Sequence, residues 1–100
     1  MADVFLEIIV KAPEAAAPGI QSRDEIEDPL EEALSAAGVG EVTGGGGGSG
    51  VYTVDVEIAN EDQLDEALAA IRGVLRSLKV PPSTVIKRHK PKEQAFPVYV

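Results

Sequence analysis

The sequence predicts an α+β domain in which two helices cover one face of a four-stranded antiparallel sheet. Three observations predict it. Apolar and polar residues alternate over residues 4–10 and 52–58, two other segments repeat their apolar residues at helical spacing behind capping signals, and the elements run strand, helix, strand, strand, helix, strand.

Asp3 to Lys11 reads as the first strand. Val4, Leu6, Ile8 and Val10 share one face and Asp3, Glu7 and Lys11 the other. Phe5 and Ile9 interrupt the polar face, so that face is not simply solvated. Residues 12–19, APEAAAPG, hold two prolines and no usable period, which predicts an exposed connection of irregular shape. In Asp28-Pro29-Leu30-Glu31, the Asp accepts from free backbone amides, Pro fits the first helical position and Glu31 completes a capping box. A helix is therefore expected from about Pro29, with Leu30, Ala33, Leu34 and Ala37 as its buried stripe and Gly38 as its left-handed stop. Ile26 lies one turn earlier on the same stripe and leaves open a kinked helix beginning near Ser22.

Gly40 to Thr43 leave room for only a short strand before the glycines, which read as a hairpin tip. Beyond them Tyr52, Val54, Val56 and Ile58 alternate with Val51, Thr53, Asp55 and Glu57. Asn60-Glu61-Asp62-Gln63 is a second capping box. It opens a helix with Leu64, Ala67, Leu68, Ile71, Leu75 and Leu78 on the buried face, ended by Pro81-Pro82. Thr84 to Arg88 is the last strand of a domain spanning residues 1–90. In the tail, 91–100, the segment Ala95 to Val100 either pairs as a short edge strand or hangs free.

This order of elements is the ferredoxin-like βαββαβ arrangement, with two right-handed crossovers. Gly38-Val39-Gly40-Glu41-Val42 leading into glycines, the acidic strand Val54-Asp55-Val56-Glu57-Ile58, and Leu78-Lys79-Val80-Pro81 followed by Thr84-Val85-Ile86 resemble small uncharacterised bacterial proteins of ferredoxin-like shape. The resemblance covers roughly residues 22–88. It implies the fold and no catalytic residue.

One hundred residues suffice for a single core. The net charge of −8 is unevenly spread: residues 1–66 carry sixteen acids and two bases, and residues 67–100 seven bases and one acid. The two portions are expected to neutralise each other within one fold. The absence of cysteine removes disulfides, thiolate nucleophiles and thiolate metal sites, and suits a reducing cytoplasm, the expected location. MADVFLEIIVKAPE has no basic leader and its apolar run is broken by Glu7 and Lys11, so neither secretion nor membrane association is expected.

Candidate chemistry is sparse. A phosphate-binding loop needs a Lys-Ser/Thr after its glycines and then a helix, whereas here a strand follows; a nest of backbone amides at Gly45, Gly46 and Gly47 is the anion-binding alternative to a plain tip. Glu7, Asp55 and Glu57 read as the wet face of a sheet, against acid/base work or a hard cation. His89, the sole histidine, sits in KRHKPK and reads as a surface residue. No cofactor, metal or nucleic-acid partner is expected, because an RNA-binding sheet displays several aromatics with bases rather than these acids. Phe5, Ile9 and Val51, rimmed by Glu7, Asp55 and Glu57, form the expected interaction face. The leading reading is a non-enzymatic module that associates through this face with itself or another protein; the alternative is a small-ligand or anion sensor using the glycine-rich hairpin.

Overall fold

The computed structural model describes residues 3–16, 19–20, 22–48, 50–90 and 92–99. Among these residues an antiparallel sheet of five strands carries three α-helices, in the order β1 (Val4–Lys11), α1 (Ala12–Ala15), α2 (Asp24–Ala37), β2 (Glu41–Gly48), β3 (Val51–Ile58), α3 (Leu64–Ser77), β4 (Val85–Lys90) and β5 (Gln94–Pro97). The strands lie side by side as β2-β3-β1-β4-β5. The chain is α+β, but the sheet is not four-stranded as the sequence led us to expect. Gln94–Pro97 pairs along β4, with Ile86 opposite Phe96 and Lys87 opposite Ala95.

Period-two alternation fixes the sidedness of the central strand. Val4, Leu6, Ile8 and Val10 are fully buried, as are Val56 and Ile58 on β3 and Ile86 on β4. They join Ile26, Leu30 and Leu34 of α2 and Ala67, Ile71 and Leu75 of α3 in one aliphatic cluster. Burying each of the larger side chains contributes about 1.5–3 kcal/mol, the main force holding the helices on this side of the sheet.

Helix α2 starts at Asp24 rather than near Pro29, which lies inside it. Proline removes the bond its N–H would make to the carbonyl four residues back and crowds that carbonyl with its ring, and burial of Ile26 and Leu30 offsets the cost. The Ser22 backbone N–H donates to the Glu25 carboxylate at 2.9 Å, and Arg23 pairs with Glu27. Gly38 ends the helix at φ 67°, with its N–H on the Leu34 carbonyl, as the sequence signal implied. Before α3, Asn60 makes no side-chain cap. Glu61–Gln63 instead form a 3₁₀ turn closed by the Gln63 N–H on the Asn60 carbonyl.

Two further expectations need correction. The segment APEAAAPG contains a helical turn, α1, with Pro13 in the first turn where no amide is required and Ala15 fully buried; residues 17 and 18 lie outside the described ones. The glycines are not a loose tip either. Gly44 to Gly48 form most of β2 and pair with Asp55 to Val51, after a register shift between Val42 and Gly44.

The C-terminal segment is tied down by α3. Arg72 Nε donates to the Pro97 carbonyl at 2.9 Å and Arg76 Nε to the Val98 carbonyl at 3.0 Å, while the Tyr99 hydroxyl donates to the Val80 carbonyl. Val98 is fully buried in the core cluster. Val100 lies outside the described residues.

Candidate functional site

The helices leave the other face of the sheet uncovered, and register places its side chains in rows. Glu7 on β1 stands between Asp55 on β3 and Lys87 on β4; Ile9 stands between Thr53 and Val85; Phe5 stands beside Glu57, with Lys90 on its other side. Val51 pairs with Lys11 at the far end. Phe5, Ile9, Val51, Glu7, Asp55 and Glu57 therefore share one face, each partly exposed. The separation of Val4, Leu6 and Ile8 from Phe5, Glu7 and Ile9 is a direct result of the strand's alternation.

One participant carries no sequence signal. The β1–β4 pairing shifts between Phe5 and Leu6, so that Phe5 faces Lys90 while Leu6 faces Arg88 and His89 becomes the extra residue. Such a bulge re-aims a side chain. The His89 ring reaches across β1, with Nε2 2.9 Å from Glu7 Oε1 and the ring centroid 5.8 Å from that of Phe5. In the tautomer that carries its hydrogen on Nε2, the ring donates to this carboxylate oxygen. Arg88, on the buried side, donates to the Gln94 side chain at 2.6 Å and the Lys92 carbonyl at 3.1 Å. It thereby ties β4 to the turn before β5.

Asp55 is the electrostatically distinctive residue. Partial burial and, after it, the neighbouring Glu7 raise its pKa above the ordinary 3.8, while His89 and Arg23 act in the opposite direction. Raising an acid's pKa in the folded state means that its protonated form stabilises the fold. That contribution is complete below 3.8 and is lost as pH rises through the higher folded value. At a concentration that keeps the chains apart, Asp55→Asn should consequently raise the melting temperature at pH 7, and the gain should shrink to nothing as the pH is lowered past 3.8. Melting curves across that range check it; a gain independent of pH would assign the effect to packing.

Glu7, His89 and Asp55 form a small polar cluster on the uncovered face of the sheet. Among the described residues, no three His, Asp or Glu side chains are placed to hold a metal ion. Gly45, Gly46 and Gly47 pair with Val54, Thr53 and Tyr52, and the Gly46 N–H donates to Thr53 Oγ1 at 3.1 Å. In a paired strand successive amides point to opposite edges instead of converging as in a nest. On the helical side an open groove of about 330 Å³ runs past Pro29, Ala70, Gly73 and Leu78, with Ser77 as its only polar side chain. It lacks the convergent polar groups that orient a ligand.

No protein-family model, curated protein or solved structure matches this chain. Among the described residues no helix is long and apolar enough to cross a membrane.

Proposed function

We propose that this chain is a non-enzymatic interaction module that binds another protein surface through its uncovered sheet face, on a ferredoxin-like βαββαβ frame with a fifth strand added beside β4. The frame reading is supported by the strand order β2-β3-β1-β4, with every neighbour antiparallel. The binding reading is carried by Phe5 and Ile9. They stand on either side of Glu7 along the central strand, half-buried and facing away from the core.

A sheet face meant only for water would place polar residues at both positions. Covering what remains exposed of the two side chains supplies roughly 2–3 kcal/mol of gross driving force, which with flanking ion pairs suits an interface of moderate strength. Phe5→Asp with Ile9→Ser is expected to abolish concentration-dependent association in sedimentation or light scattering while leaving the far-ultraviolet circular dichroism unchanged. Ile9→Ser alone should weaken association in part. Association indifferent to both variants would remove this face from consideration.

A further inference from the structure

The order of charges across the uncovered face specifies a partner. On β3 the side chains flanking β1 are acids, Asp55 and Glu57; on β4 they are bases, Lys87 and Lys90; and β1 between them carries Phe5, Glu7 and Ile9. Glu57, Lys87 and Lys90 form no ion pair among the described residues. A partner bearing a single sign of charge would satisfy half of this surface and repel the other half. What fits is a surface with the same two signs in reversed lateral order.

Resting on the interaction reading above, we propose that the occupant is a second copy of this chain, related by a two-fold axis that runs along β1. Rotation about that axis keeps each residue at its own height along the strand and exchanges the flanks, so that β4 of one copy covers β3 of the other. Asp55 then meets Lys87 of the partner subunit, and Glu57 meets Lys90 of the partner subunit, because each acid shares a row with the base that covers it. The third row, Thr53-Ile9-Val85, brings apolar groups together. A two-fold axis lying across the strands would instead set the acidic strand over itself and the basic strand over itself.

Glu7 meets its own copy at the axis. Each carboxylate already accepts from a His89 ring, so the like charges are flanked by donors. The lysine delivered to Asp55 also opposes the influence of Glu7, whose charge raises the Asp55 pKa in the single chain. Two such sheets stack at the aligned angle natural to twisted layers. Three strands of eight residues, one of six and one of four, about 4.8 Å apart, give a footprint on the order of 500 Å², below the roughly 800 Å² per partner of a standard interface and in keeping with a dimer of moderate strength.

The decisive experiment is sedimentation velocity on the full chain, on Asp55→Lys, on Lys87→Glu, and on an equimolar mixture of the two variants. The wild type should dimerise, and each reversal alone should weaken dimerisation at least about tenfold, since like charges then face each other at both symmetric contacts. The mixture should recover to within about threefold of the wild type, because each opposed pair regains opposite signs. A dimer lost in Phe5→Asp/Ile9→Ser but unaffected by either reversal would overturn this axis and leave the face intact; a dimer indifferent to all variants would overturn both. A wild type that stays monomeric at millimolar concentration would overturn the self-association alone. If circular dichroism shows a reversal unfolded, Asp55→Asn and Lys87→Gln replace the pair. Each should then reduce the salt sensitivity of the dimer, and unchanged salt sensitivity would again overturn the axis.

Discussion

Ile8→Ala is expected to lower the unfolding free energy by about 3 kcal/mol, while Ile9→Ala, one residue further along the same strand, costs less than about 1 kcal/mol. Ile8 sits at the middle of the central strand, between Val54 and Ile86, and is fully buried under the helices. Removing three carbons there loses their transfer free energy and leaves a cavity that two packed helices and three paired strands cannot close. Ile9 points to the uncovered face and is only half-buried, so water fills the space it leaves. A domain of this size has about 5–15 kcal/mol of stability in all, which makes the contrast easy to resolve by urea denaturation at a concentration that keeps the chains apart. Equal losses at the two positions would mean that the helices do not define an inside and an outside for β1.

The second large effect is expected at a glycine. Gly45 has φ 143°, and a Cβ placed on it would stand 2.2 Å from the Thr53 carbonyl oxygen and 2.8 Å from Arg23 Nη1. The arginine can move, but the carbonyl belongs to the paired backbone of β3 and cannot move without breaking the ladder. Gly45→Ala should cost about 2–3 kcal/mol through backbone strain and lost pairing. Gly46→Ala is the control: its nearest neighbour, Thr53 Oγ1, lies 3.9 Å from the added carbon and its φ is not positive. That variant should be neutral or stabilising by up to about 0.5 kcal/mol, because the unfolded chain loses freedom. Chemical denaturation of the pair checks the β2–β3 register directly, since a slip of one residue would interchange the two outcomes.

What could be read from the sequence follows from where a side-chain pattern exists. The alternation in β1 and β3 separated Phe5, Glu7, Ile9, Asp55 and Glu57 from the buried set, and the stripe from Leu64 to Leu78, whose last member lies just past the end of the helix, marked α3, because a two-layer fold imposes those periods on whatever sequence occupies it. Glycines carry no such pattern. Gly44 to Gly48 became a strand because β3 offers a full ladder of partners, a property of the neighbouring segment that local propensity cannot express. Of the two starts the sequence allowed for α2, near Pro29 and near Ser22, the earlier one matches, for a related reason. Pro29 resembles a first-turn proline, yet the apolar stripe continues back to Ile26 and its burial outweighs one missing hydrogen bond.

The same limit applies to the face itself. Its β1 and β3 residues were legible from parity, whereas the part played by His89 depends on a bulge in a pairing between residues more than eighty positions apart. The pairing of Lys87 with the row of Glu7 and Asp55 is likewise a matter of register rather than composition. The fifth strand was left open because the sequence of residues 94–97 is too short to carry a period. Its place is fixed by Arg72 of α3, twenty-five positions from the Pro97 carbonyl it binds, by Arg76 holding Val98 just beyond the strand, and by Arg88 of the neighbouring β4.

The two margins of the sheet are unlike its centre. At one lies β2, whose glycines turn through φ 143° at Gly45 and 111° at Gly48 and whose pairing is interrupted after Val42. At the other lies β5, four residues ending in Pro97, which has no amide hydrogen to offer. Neither rim presents the long, flat row of donors and acceptors on which further strands could nucleate. Edge-to-edge addition of the kind that builds fibrils is therefore disfavoured at both margins.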